Sequence, residues 1–107
     1  MIYHIVSPQY WKTHADKNTY FPETFEQEKF IHCSTIEQLS GVLERYYKGA
    51  GKVLRLGIDE EKLTVKPVYE AAANGEEFPH IYGGINKNAV VNVSELNEVS
   101  PGEYTIT

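Results

Sequence analysis

Three histidines in separate segments are the strongest candidates for acid–base chemistry: His4, His32 and His80. Histidine is the side chain whose ordinary pKa lies nearest to neutrality, so it can both give and take a proton. A proline precedes His80, and two glycines follow Tyr82, which shares its strand face. We therefore predict that segment 78–83 is a fixed loop at a site, although a plain turn can use the same residues.

His32 lies where a short strand meets the start of a helix. In an extended strand His32 and Ser34 share one face, and the unpaired N–H groups of a helix N-terminus suit an anion. The alternative is an ordinary capping box, formed by the Ser34 hydroxyl and the Glu37 carboxylate, beside a hydrogen-bonded histidine. Cys33 points away with Ile31, so we expect a small buried hydrophobe rather than a catalytic thiol.

The other histidines carry weaker signals. His4 has Ile2 and Val6 as neighbours on the same strand face, a setting in which a lone histidine is more often a satisfied core residue than a ligand. His14 lies in the first predicted helix, and we expect it to be exposed and to have no role. Zinc sites usually pair their ligands at short spacings, and such pairs are missing from the sequence, so no metal is expected. Phosphate-loop and esterase motifs are missing too.

Composition limits the classes of function. The chain has 107 residues, of which 41% are hydrophobic and 23% charged, as in an ordinary globular domain. The net charge of −5 argues against general nucleic-acid or anionic-membrane binding, but a local pocket can still hold a small phosphorylated ligand. A single cysteine and an N-terminus without a signal-peptide pattern predict a cytoplasmic protein.

Strand and helix signals predict a single α+β domain over residues 1–107. We expect helices at 8–16 and 35–48, a helical turn at 23–28, and strands at 2–6, 30–33, 53–58, 65–70, 80–82, 89–93 and 104–107. This order predicts a mixed, mostly antiparallel sheet with two helices in the first half of the chain.

Two motifs are shared with a known bacterial family. They are Phe-Ile-His-Cys-Ser at residues 30–34 and Phe-Pro-His-x-Tyr-Gly at residues 78–83. Further matching positions are Tyr3-His4-Ile5, Trp11, Gln38 and Gly41-Val42. With these residues the chain resembles domain-of-unknown-function family 952 over residues 1–96, and it departs from the family at Lys29, where glycine is usual.

That family is thought to be distantly related to ADP-ribosyltransferases, and the tRNA 2′-phosphotransferase branch is the nearest. The resemblance implies that His4 matches the histidine of the first core strand and that His32 matches the histidine of the second. It also implies a third group, for which Glu70 is the candidate, with His80 and Tyr82 as equal contenders. The Gly-Thr pair that follows the first histidine in that branch is replaced here by Ile-Val.

The resemblance therefore implies an ADP-ribosyltransferase-like fold that binds NAD or a related ADP-ribosyl nucleotide, with transfer of an ADP-ribosyl or phosphate group as the expected chemistry. The implied catalytic residues are His4, His32 and Glu70, and the implied ligand-binding residues are Ser34, His80 and Tyr82. The competing hypotheses are a non-catalytic nucleotide or small-ligand binding module and a metal-dependent enzyme that uses the three histidines. The expected partner is a small-molecule nucleotide, and the sequence does not indicate an oligomeric state.

We predict that thiol reagents react slowly with Cys33 in the native protein, because a buried thiol must first become exposed. The rate of labelling by a chromogenic disulfide reagent should rise steeply when urea unfolds the chain. Rapid labelling of the folded protein would contradict the predicted orientation of Cys33.

Overall fold

The helices lie in the first half of the chain, and strands dominate the second. A computed structural model describes residues 1–105. Within them the elements are β1 (Ile2–Val6), α1 (Pro8–Lys12), β2 (Thr19–Tyr20), α2 (Phe25–Glu28), β3 (Ile31–His32), α3 (Leu39–Tyr46), β4 (Lys52–Ile58), β5 (Val68–Ala71), β6 (Glu77–Ile81), β7 (Ile85–Asn86), β8 (Val90–Ser100) and β9 (Glu103–Tyr104). None of the helices in this described part is long and apolar enough to cross a membrane.

Four strands form the main antiparallel sheet, in the order β1-β4-β8-β9. The edge strand β1 pairs with β4, so that Ile2 lies opposite Ile58 and Val6 opposite Leu54. Because side chains alternate along a strand, Ile2 and Val6 face one side of the sheet and Ile5 faces the other. All three are buried, so the main sheet is the middle layer of the molecule.

Apolar clusters cover both faces of this sheet. On one face, α3 packs Leu39 and Leu43 against Ile5 and Val53. The cluster on the other face is larger and joins the main sheet to the shorter strands; its buried members are Ile2, Val6, Tyr20, Ile31, Cys33, Leu56, Ile58, Leu63, Ile81, Ile85 and Ala89. Removal of these side chains from water supplies the main driving force for folding.

A second antiparallel sheet has the order β3-β6-β5 and carries three of the six predicted site residues. Ile31 pairs with Ile81, and His32 pairs with His80. The two isoleucines are fully buried in the larger apolar cluster, so the alternate positions face outward. The pairing of β3 with β6 thus brings the two sequence motifs side by side.

Ser34 belongs to the joint between the sheets rather than to a helix cap. It is buried and exchanges two backbone hydrogen bonds of 2.8 Å with Tyr3 of β1. The capping box lies one residue later, where the Gln38 Oε1 atom accepts a hydrogen bond from the Thr35 N–H at 3.0 Å. The predicted pair of Ser34 and Glu37 is therefore wrong, because the helical turn begins at Ile36, which makes Thr35 the N-cap residue and leaves Ser34 in the bridge to Tyr3.

The predicted α+β class and antiparallel pairing are confirmed, and the element bounds change. The helix predicted at 35–48 is a 3-10 turn over Ile36–Gln38 followed by α3, and the helix predicted at 8–16 ends with α1. The strands divide among three sheets rather than one, since β2 and β7 form a small pair of their own. The strand predicted at 89–93 is part of the long β8, which β4 and β9 stabilise by pairing. Residues 106 and 107 of the predicted last strand lie outside the described residues.

The carboxylate of Glu98 ties two turns together at the far end of the main sheet. It accepts backbone hydrogen bonds from Gly49 at 2.8 Å, Gly51 at 2.9 Å and Gly102 at 2.7 Å. Gly49 and Gly102 have φ angles of +87° and +80°, which residues with a Cβ atom rarely adopt. These bonds lower the pKa of Glu98 below its ordinary value, and the bond from Gly49 has the largest effect.

We predict that Glu98→Gln lowers the melting temperature, because an amide NH₂ group would face a backbone N–H donor and the charge-assisted bonds would be lost. Since the folded pKa of Glu98 is depressed, its contribution to stability is complete above pH 4.5 and is lost as the pH falls through the folded pKa. Thermal melts across this range should therefore show a smaller acid effect in the variant.

The matched control is Glu95→Gln on the same strand, an exposed residue whose carboxylate forms a surface ion pair with Lys52 at 3.5 Å. The control should melt close to the wild type. Equal melting temperatures for wild type and Glu98→Gln would contradict a role for the Glu98 carboxylate in stability.

Candidate functional site

The outward face of the sheet β3-β6-β5 gathers four of the six predicted site residues. His32 lies on β3, His80 on β6 and Glu70 on β5, and Tyr82 follows β6 directly. His80 pairs with Val68, so Glu70, two residues further along β5, projects from the same face. Register thus assembles side chains that lie far apart in the sequence. We call this surface the histidine face.

Glu70 is the centre of hydrogen bonding on the histidine face. Its Oε1 atom accepts a hydrogen bond from the Tyr82 hydroxyl at 2.6 Å and another from His80 Nδ1 at 2.7 Å. The bond from Tyr82, followed by that from His80, lowers the pKa of Glu70, so the carboxylate is ionised near neutral pH. The Glu70 side chain is 39% exposed, and it remains accessible to a ligand.

His32 has its own carboxylate partner. Its Nε2 atom donates to Oε2 of Glu28, the last residue of α2, at 3.1 Å. A hydrogen bond from Thr24 lowers the pKa of Glu28 most, and the bond from His32 lowers it further. Each of the two histidines on this face is therefore oriented by a neighbouring glutamate, an arrangement that suits proton transfer or binding of a positively charged group.

Phe30 is a member of the histidine face that the sequence reasoning did not assign. Its ring centroid lies 4.3 Å from that of His80, 4.7 Å from that of His32 and 5.3 Å from that of Tyr82. The two histidine rings are 5.3 Å apart and nearly perpendicular. The sequence did contain a signal for this placement, because Phe30 stands two residues before His32 in the predicted strand 30–33 and so shares its face. The result is an aromatic surface next to two carboxylates.

His4 is buried behind this face and is fully engaged within the protein. Its Nδ1 atom donates to the His32 carbonyl at 2.7 Å, and this fixes the tautomer in which Nε2 accepts from the Tyr20 hydroxyl at 2.9 Å. Burial lowers the pKa of His4 to about 4. His4 is therefore neutral at pH 7, and both of its nitrogens are occupied.

The Tyr20 ring packs against two histidines, His4 and His14. The Tyr20 ring centroid lies 5.3 Å from that of His4 and 5.1 Å from that of His14. His14 is buried, with 7% of its surface exposed, and it also contacts Tyr10. The prediction that His14 is exposed is wrong, because α1 ends at Lys12 and the following turn folds the ring inward against Tyr20.

A cavity of about 260 Å³ adjoins His4. Its described lining residues are His4, Ile5, Val6, Ser7, Tyr10, Tyr20, Pro22, Glu23, Thr24, His32 and Tyr47. His4 and His32 share this cavity, whereas Glu70, His80 and Tyr82 are not among its lining residues. The structure thus separates the predicted residues into a cavity and a sheet face that meet at His32, and the buried Ser34 lines neither of them.

Metal binding has no support among residues 1–105, where no three His, Cys, Asp or Glu side chains converge in a way that could hold an ion. Cys33 is 2% exposed, which confirms its predicted burial, and burial raises the pKa of its thiol. The available chemistry is therefore that of paired histidines and glutamates beside aromatic rings.

We predict that the free energy of unfolding decreases as the pH falls from 6.5 to about 4, because the unfolded chain binds a proton at His4 in this range and the folded chain does not. The contribution of this one group is of the order of 3 kcal/mol. Urea denaturation of wild type and His4→Gln across the range measures it. Glutamine can keep a donor and an acceptor but does not titrate, so its profile should be flatter. Parallel profiles for the two proteins would contradict the assignment.

Comparison with known proteins places the chain in a family. Residues 5–93 match the model of the family described as "Protein of unknown function (DUF952)". A crystal structure of protein CC0527 from Caulobacter crescentus is 24% identical, with a TM-score of 0.87 over 97% of this chain and 92% of that chain. A solution NMR structure of the same protein is 24% identical, with a TM-score of 0.72 over 90% and 84%. No curated protein matches the chain.

At these identities the likeness to CC0527 shows a shared fold alone. The family match shows more than the fold, because the family model covers most of the chain. It confirms the predicted membership of family 952. The protein belongs to the DUF952 family of proteins of unknown function.

Proposed function

We propose that the protein binds NAD or a related ADP-ribosyl nucleotide with the nicotinamide–ribose end on the histidine face. The observation that carries the proposal is the carboxylate of Glu70, which is held by Tyr82 and His80 at hydrogen-bond distance within an aromatic surface. The resemblance of the His4 and His32 motifs to those of ADP-ribosyltransferases is the second support.

The chemistry of the nicotinamide end matches this surface. The nicotinamide ring of NAD carries a positive charge, and aromatic faces and carboxylates both attract cations. Phe30 and Tyr82 offer ring surfaces at a centroid separation of 5.3 Å, and Glu28 and Glu70 supply negative charge. Because ring faces also stack on planar ligands, the same surface suits a flat heteroaromatic group.

Glu70 has a role in the proposed reaction. Cleavage of the bond between nicotinamide and ribose builds positive charge on the sugar, and a fixed carboxylate lowers the energy of that charge. The hydrogen bonds from Tyr82 and His80 hold Glu70 in place before a ligand arrives. His32 is the proposed proton carrier on this face, since Glu28 orients its ring.

We assign His4 a positioning role in place of a catalytic one. Both of its ring nitrogens are bonded to Tyr20 and to the backbone of His32, so it acts by holding β3 in place. Ser34 receives no ligand contact in this proposal, because it is buried in the joint with β1.

A non-catalytic binding module is the second candidate function. It is favoured by the same engagement of His4, which leaves this histidine without a free nitrogen for a substrate. The two candidates differ in turnover: a transferase or hydrolase releases nicotinamide from NAD, and a binding module does not.

We predict that Glu70→Gln weakens the affinity for NAD by about tenfold or more, because the amide lacks the negative charge that attracts the cationic nicotinamide ring, and a contact to a charged group contributes about 1.5–3 kcal/mol. Isothermal titration calorimetry with NAD measures the change. The matched control is Glu77→Gln, an exposed residue whose position on β6 faces the other way from His80. The control should bind NAD as the wild type does.

The proposal fails if the wild type shows no saturable binding of NAD, or if Glu70→Gln binds as tightly as the control. Chromatography that measures the release of nicotinamide from NAD then distinguishes the enzyme from the binding module. Turnover that Glu70→Gln abolishes supports the enzyme, and binding without turnover supports the module.

A further inference from the structure

A second and larger cavity, of about 670 Å³, lies beside α1 and the first residues of β4. Its described lining residues are Ser7, Pro8, Gln9, Trp11, Lys12, Tyr47, Ala50, Lys52, Val53, Leu54 and Glu95. It shares Ser7 and Tyr47 with the cavity next to His4. That cavity in turn shares His32 with the histidine face. The three compartments therefore follow one another along the surface.

The large cavity is lined by both apolar and basic residues. Trp11 and Leu54, both partly buried, provide apolar side chains, and Lys12 and Lys52 are the two basic residues of the lining. Glu95 is the single carboxylate among the described lining residues, and it lies 3.5 Å from Lys52. Both partners of this ion pair are at least half exposed, so the pair is weak and Lys52 can turn to another anion.

The large cavity and the histidine face, which the smaller cavity connects, therefore differ in charge. The histidine face carries the ionised carboxylates of Glu28 and Glu70, whereas the large cavity carries two lysines and one glutamate. A ligand that matches both ends has a cationic group at one end and an anionic group attached to an apolar ring system at the other. NAD has this polarity, with a cationic nicotinamide and an adenosine diphosphate half.

We infer that the large cavity binds the adenosine diphosphate half of the nucleotide, an inference that rests on the proposed function. The ammonium groups of Lys12 and Lys52 contact the phosphates, because lysine commonly binds phosphate through its positive charge. The adenosine lies against the side chains of Trp11 and Leu54, on the part of the Trp11 ring that the Lys87 ammonium, 5.1 Å from the ring centroid, leaves uncovered. The nicotinamide end then extends past Ser7 and Tyr47 towards His32.

The inference is tested with ADP as the probe. Trp11 is the single tryptophan of the chain, so its fluorescence reports on this cavity directly. We expect ADP to change the Trp11 emission saturably in the wild type. The double variant Lys12→Gln/Lys52→Gln should bind ADP about tenfold or more weakly, since two charge-assisted contacts are removed.

The matched control is Lys17→Gln/Lys62→Gln, which removes the same charge from two exposed positions outside the cavity. This control should bind ADP within about twofold of the wild type, because distant exposed charges are screened by salt. Equal losses in both double variants would mean a general charge effect and would overturn the inference. Thermal melts establish that both variants are folded, as expected for exposed lysines.

Failure of the inference and failure of the proposed function give different results. If Glu70→Gln weakens NAD binding and the Lys12/Lys52 variant does not weaken ADP or NAD binding, the proposed function stands and the inference is wrong. If ADP binds through the lysines while NAD binds no better than ADP and Glu70→Gln has no effect, the nicotinamide site fails and the anion site stands. Absence of any ADP binding to the wild type overturns the inference.

Discussion

The two buried hydrogen bonds of His4 join the main sheet to both smaller sheets, and the position of the histidine face depends on this joint. Through Nδ1 the ring of His4 on β1 bonds to the backbone of β3, and through Nε2 it bonds to the hydroxyl of Tyr20 on β2. One side chain thus connects an edge of the main sheet to an edge strand of each smaller sheet. A polar ring buried to this degree costs free energy unless all of its hydrogen-bonding groups are satisfied, and here they are.

This joint also positions the strands that carry the histidine face. The bridge between Tyr3 and Ser34 and the bond from His4 fix β3, and the pairing of β3 with β6 sets His32 beside His80. The inner side of the same strands is locked by buried isoleucines, so the outer side chains project from a rigid base. A rigid base is what a binding surface needs, because its groups are then arranged before a ligand arrives.

Close packing has a similar effect at the glycine pair after Tyr82. A Cβ atom on Gly84 would overlap the side chains of Thr19 and Phe21, and one on Gly83 would approach Val65. The glycines let the chain pass close to neighbouring segments, and a sequence does not reveal which neighbour approaches. The predicted loop over 78–83 is corrected, since residues 78–81 belong to strand β6, which pairs with β3 and β5.

Local signals in the sequence by themselves determined β1, the α+β class and the burial of Cys33, and the sequence also identified the DUF952 family. The structural features depend on alternation and residue type, which act over a few neighbours. Tertiary structure alone decided the partners: Glu70 with His80 and Tyr82, Phe30 with both histidines, and His14 against Tyr20. Those contacts come from strand register and from the path of a turn. Register is fixed by which apolar faces can be buried together across the whole chain, and no local pattern contains that information.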